Sequence, residues 1–113
     1  MKYFKIEEFD CQETGENNMN PAFLAILDKL RGNCEFPFVI TSGYRSPKHS
    51  IEMVKDEPGT HAKGIAADIS AIGGVRKRKV VEEALKLGFG GIGVGKDFIH
   101  VDIRSSTPVV WGY

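Results

Sequence analysis

The chain has 113 residues, 42% hydrophobic and 27% charged, enough for one domain with one core and too few for two. Fifteen basic and fifteen acidic side chains cancel, so no overall field favours nucleic acid or a membrane surface. The opening Met1–Glu8 lacks the apolar stretch of a secretory leader, and no run reaches transmembrane length.

Residues 1–18 read as an extended N-terminal arm, with Tyr3, Phe4, Ile6 and Phe9 apolar before a polar Gly/Asn stretch. Asn20-Pro21 is a helix start, with Asn as cap and Pro at the first helical position. Phe23, Ile26, Leu27 and Leu30 then recur at helical spacing, and Gly32-Asn33 offers a stop. Phe36–Thr41 is rich in β-formers and reads as a strand, central from Phe38 onward. Ser46-Pro47 starts a second, short helix ending near Val54, with His49 exposed on it.

Ile65–Ile69 is a short apolar run that reads as a strand interrupted by Asp68. Residues 75–87 form the clearest helix, stopped by Gly88, and its Arg76–Lys79 cluster is a solvated face. The glycine-rich Phe89–Gly95 run lacks the Lys-Ser/Thr ending of a phosphate loop and precedes no helix. It reads instead as a hairpin, Gly91–Val94 and Phe98–Ile103 around a Gly95-Lys96 turn. The tail from Ser105 to Tyr113 reads as irregular. Cys11 and Cys34 either pair or stay free, and their spacing is not that of a thiolate zinc site. The whole, 1–113, is expected to be an α+β domain: a small, mostly antiparallel sheet packed with two to three helices.

Strand alternation puts Phe98, His100 and Asp102 on one face and Ile99, Val101 and Ile103 on the other. Asp68 shares its face with Ala66 and Ser70. An ionisable residue inside an apolar strand is costly without a partner. If the two strands are neighbours with these faces aligned, Asp68 and His100 converge, and His61 enters from the loop after Pro58-Gly59. Two imidazoles and a carboxylate suit Zn²⁺ and leave a fourth position for water, the arrangement of a catalytic site. Asp97 is the candidate general base, placed by its spacing in the turn outside regular pairing. Arg45 is the candidate for oxyanion stabilisation or for clamping a substrate carboxylate. Asp102 either orients a site group or is simply bonded within the sheet.

Three segments, Ser42-Gly43-Tyr44-Arg45-Ser46, Thr60-His61 through Gly64 and Ala66 to Asp68, and Asp97-x-x-His100-x-Asp102, together resemble the zinc D-alanyl-D-alanine peptidase family. That group includes murein DD-carboxypeptidases, D,D-dipeptidases and phage endolysins cutting L-alanyl-D-glutamate bonds, and it shares its fold with the hedgehog signalling domain. The resemblance covers roughly Phe38 to Arg104. It implies zinc ligands at His61, Asp68 and His100, a catalytic carboxylate at Asp97 and a substrate or oxyanion contact at Arg45. Ser42 and Tyr44, in the first motif, are further candidate substrate contacts, although packing is the simpler role for Tyr44 and for Trp111.

The implied activity is zinc-dependent hydrolysis of peptidoglycan stem peptides, of carboxypeptidase or endopeptidase type. A non-catalytic zinc-bearing module of a phage particle or wall complex is the alternative. The implied partner is the stem peptide, with no nucleic acid and no membrane segment, and a monomer is favoured. Lacking a leader, the protein would act on the wall after release or as part of a virion. The charged Lys48–Glu57 segment departs from the Gly/Asn-rich loop of many relatives.

Overall fold

In the computed structural model, which describes residues 1–113, the chain order is α1 (Pro21–Cys34), β1 (Ile40–Ser42), β2 (Ala66–Ser70), α2 (Gly74–Leu87), β3 (Gly91–Val94), β4 (Phe98–Asp102) and β5 (Val109–Gly112). The strands form one mixed sheet in the order β1-β2-β4-β3-β5. All neighbours are antiparallel except β3 and β5. No helix is long and apolar enough to cross a membrane.

Alternation sorts the two faces. Ala67, Ile69, Ile92, Ile99 and Val101 point into the core with α1 and α2 behind them. There Phe23, Leu27 and Leu30 of α1 and Val80 and Ala84 of α2 lose all contact with water. Each large apolar side chain so buried contributes about 1.5–3 kcal/mol against the entropy of ordering it. The opposite face carries Asp68, His100 and Asp102.

The helix starts follow their local chemistry. Asn20 Oδ1 accepts from the Ala22 and Phe23 amides at 2.8 and 3.2 Å, with Pro21 in the first turn. Gly88 ends α2 with a left-handed φ of 84°. α1, however, runs through Gly32-Asn33 to Cys34, and Glu35 takes the left-handed turn instead. Gly32 is used sterically: a Cβ there would lie 3.2 Å from the Tyr3 ring.

Four segments differ from their sequence readings. The first eighteen residues are not a free arm, because Phe4, Phe9, Cys11 and Met19 join the core and Ile6–Phe9 forms a 3-10 turn. β1 is a three-residue edge strand rather than a central one, with a bulge between Ile40 and Ser42. Val39, before it, is 63% exposed. The expected helix after Pro47 is only turns and a 3-10 turn at Glu52–Val54. There the Ser46 hydroxyl accepts from the Lys48 amide at 3.2 Å, a local bond that competes with helix. His49 is buried, its Nε2 3.1 Å from a Glu13 oxygen. The tail forms β5, in parallel register with β3.

Cys11 and Cys34 are both free and buried. Burial, with Glu83 nearby, pushes the Cys34 thiol up to about 11. A thiol reagent at pH 8 should therefore modify Cys34 slowly in the native protein and rapidly after denaturation. Fast labelling of Cys34 in the folded state would contradict this packing.

Candidate metal centre

Register sets the floor of the site. Asp68 lies directly opposite His100 across β2 and β4, and Ala66 opposite Asp102. On the other side of β4, Gly93 faces His100 and Gly91 faces Asp102. Those two glycines keep the face open. A Cβ on Gly91 would strike the Asp102 carboxylate, and one on Gly93 would come 2.8 Å from the Trp111 indole. Trp111 consequently lies against the site, its ring 5.2 Å from that of His100 and 5.0 Å from the Arg104 guanidinium.

His61 arrives on a turn whose shape is set by backbone bonds. Lys63 N–H donates to the Gly59 carbonyl and Ile65 N–H to that of Thr60. Gly64 has φ of 72°, and any side chain there would run into the Asn18 carbonyl. This turn is zipped to the loop after β1. Arg45 N–H donates to the His61 carbonyl at 3.3 Å, and the His61 ring nitrogen Nδ1 donates to the Gly43 carbonyl at 2.8 Å. Gly43 in turn packs on the backbone of Phe9, whose carbonyl accepts from Tyr44 N–H at 2.8 Å. The N-terminal segment thus braces the loop that braces the histidine.

The outcome is a cluster in which one atom each of His61, Asp68 and His100 lies within 4.8 Å of the others. Asp68 Oδ1 is 3.3 Å from His61 Nε2 and 3.0 Å from His100 Nδ1. The far nitrogen of each ring is already committed, Nδ1 of His61 to Gly43 and Nε2 of His100 to Asp102 at 2.8 Å. A neutral imidazole that donates on one nitrogen has only a lone pair on the other. Two lone pairs therefore face a carboxylate oxygen, and only a cation satisfies all three. Two protons would do so by burying two imidazoliums beside one carboxylate. A divalent metal does it with the rings neutral, and the nitrogen, nitrogen and oxygen donors suit zinc.

The shifts in proton affinity have the same origin. Burial pushes the Asp68 carboxyl up, but His100 and His61 outweigh it and hold the group well below the usual carboxylate range. Burial lowers His100, and the hydrogen bonds to Asp102 and Asp68 more than reverse this, raising it. Asp102, with no exposure, also sits well below the usual range, because bonds from His100 and Arg104 outweigh its burial. Arg104 grips it with Nε at 2.9 Å and Nη2 at 2.7 Å. Of the two readings of Asp102, the arrangement matches the one that orients a site group.

A family model described as peptidase M15 matches residues 2–102, nearly the whole chain. The chain belongs to the peptidase M15 family. No curated protein matches it. The M15 peptidases are zinc-dependent, and the His61, Asp68 and His100 donors found here are a group that could hold that metal.

In this M15 peptidase the three atoms open onto a cleft of about 450 Å³. Arg45 lines it, Nη2 3.8 Å from Asp68 Oδ2. Asp97 is exposed in the turn before β4, outside the cleft lining. Tyr44 is buried in the core, and Ser42 pairs with Asp68 as a strand neighbour; neither lines the cleft. Lys55, Phe98, Arg104 and Tyr113 line it too, with no sequence motif to mark them as site residues. Alternation could have flagged Phe98, on the His100 face. Lys55 and Tyr113 arrive through loop and edge-strand packing that has no local signal.

Two outcomes follow for the metal. Removing the acceptor that fixes the His100 tautomer, by Asp102→Ala, should weaken metal binding by roughly 10–100-fold in a chelator competition. Unchanged affinity would mean that Asp102 serves the sheet alone. Because His100 holds its proton more tightly than an ordinary imidazole, protons compete for the ligand nitrogen as pH falls. Asp68 stays ionised throughout. Apparent metal affinity should thus begin to fall above the roughly pH 6.5 that an unperturbed histidine would dictate. Equilibrium dialysis against zinc across pH 5–8 measures it.

Proposed function

We propose that this M15 peptidase cleaves a peptide bond in peptidoglycan stem peptides, with zinc held by His61 Nε2, Asp68 Oδ1 and His100 Nδ1. The observation that carries the reading is the set of three metal-suited donors at the floor of an open cleft. Bound there, zinc would lower the pKa of a coordinated water toward roughly 7 and polarise the scissile carbonyl. Action at the cell wall, after release or as part of a phage particle, goes with that substrate.

The chain's own groups supply the rest. Arg45, beside Asp68 and tied by its backbone to His61, offers guanidinium donors to the oxygen that gains charge when the carbonyl becomes tetrahedral. In the proposed cycle the Asp97 carboxylate accepts the proton of the attacking water and returns it to the leaving amine. No protein hydrogen bond occupies that carboxylate; it lies three residues before His100, just ahead of β4, where the Asp97 backbone carbonyl accepts from the Ala71 amide at 2.9 Å. To reach the substrate it must turn in over the cleft edge.

One observation favours the second reading, a non-catalytic zinc-bearing wall-binding module: Asp97 stands outside the cleft lining. Digestion of defined stem peptides, with product masses recorded, separates the readings and also distinguishes removal of a terminal D-Ala from cleavage after L-Ala. Asp97→Ala should cut turnover by roughly 10²–10⁴-fold while zinc content is unchanged. Activity that survives the substitution removes Asp97 from the mechanism. No new termini from any stem peptide with zinc bound leaves only the binding module.

A further inference from the structure

Lys55 belongs to the charged Lys48–Glu57 segment and lines the cleft, yet the peptidase cycle gives it no task. Its ammonium is not a free surface group. Glu52, with a side chain 1% exposed, holds Lys55 Nζ on Oε2 at 2.6 Å and accepts from Gly59 N–H on Oε1 at 2.9 Å. The ammonium lies against Gly59, where a Cβ would sit 2.8 Å from Nζ, only two residues before the ligand His61. Both Glu52 oxygens are therefore engaged, one by the Lys55 ammonium and one by the Gly59 amide. An ammonium has three donors, and Glu52 takes one. The Lys55 side chain keeps 39% of its surface exposed.

The remaining cations of the cleft are otherwise occupied. Arg104 spends Nε and Nη2 on Asp102 and lays its plane near Trp111. Arg45, whose Nη2 is 3.8 Å from Asp68 Oδ2, is assigned to the oxyanion in the proposed cycle. Phe98 and Tyr113, whose rings are 5.0 Å apart, contribute an aromatic wall. Asp68 is the one acidic residue that lines the cleft, and it is a metal donor. A cationic group on a bound peptide meets repulsion here, whereas an anionic one finds a donor whose ordering is already settled by the fold.

We infer that Lys55 is a specificity-determining residue, whose ammonium binds a carboxylate on the peptide next to the bond to be cut. That the ligand is a peptide rests on the proposed function; the carboxylate site itself rests on Lys55, Glu52 and Gly59. A substrate carrying a carboxamide at that position loses a charge-assisted hydrogen bond and gains nothing in return.

Trp111 is the sole tryptophan, and it sits beside His100, so its fluorescence reports on occupancy of the cleft. The test titrates zinc-loaded protein with N-acetyl-L-alanyl-D-glutamate and with its diamide. The protein should bind the dicarboxylate about tenfold more tightly than the diamide, a difference of one decade in Kd. Lys55→Met should reduce that preference to within about twofold, Lys55→Arg should keep it, and zinc content should not change. Lys55→Gln serves as a second neutral variant if Lys55→Met folds poorly. No preference in the unmodified protein, or one that persists in the neutral variants, overturns the inference. Lys55-dependent binding without cleavage of any stem peptide would retire the peptidase reading and leave the carboxylate site standing. Cleavage with no carboxylate preference would do the reverse.

Discussion

One carboxylate oxygen with a histidine nitrogen about 3 Å away on each side makes three electron-rich atoms that repel one another unless something positive lies among them. That constraint organises the polar face of the sheet. Antiparallel pairing puts Asp68 opposite His100. The acceptors behind the two rings, the Gly43 carbonyl and the Asp102 carboxylate, decide which nitrogen looks inward. Remove either acceptor and the ring is free to present a proton instead of a lone pair. The geometry is therefore as much a matter of what stands behind the histidines as of the histidines themselves.

Asp102 shows how such a support is kept stable. A carboxylate with no exposure is expensive, and breaking a buried pair costs about 3–5 kcal/mol because the remaining charge is stranded. Here it receives both arms of Arg104, the Arg104 amide and the His100 ring. Trp111 then covers the assembly, and glycine at 93 makes its seat. The run of glycines that superficially suggests a nucleotide loop is a steric requirement of this face: Ile92 and Val94 point to the core while Gly91 and Gly93 leave room on the other side.

Much of this was legible because it is periodic. The two-residue repeat of Phe98–Asp102 separates core from site, and the three- and four-residue repeats in α1 and α2 mark their buried stripes. The Asn20-Pro21 and Gly88 signals act through their own backbone and need no partner. What escaped depends on distant neighbours. β5 carries exposed Val109 and Val110 with no alternation, and becomes a strand only because β3 offers an edge to pair with in parallel. The burial of His49 depends on Glu13, thirty-six residues away. Phe36–Thr41 has the composition of a central strand, yet Pro37 lacks an amide donor and only three residues pair. Lys55 looks like any loop lysine until Glu52 is found buried beneath it.

The zipper from Phe9 through Gly43 to His61 also bears on how the molecule comes together. Its links join segments far apart in the chain, as do those of β2 with β4, so loop-closure entropy must be met before any of them repays it. Hardly any of the ligand set can preassemble locally. A cation that recognises the finished arrangement and not the disordered chain would deepen the native basin in proportion to its free concentration. The supply of free metal around it would then govern how long this molecule survives as well as whether it is switched on.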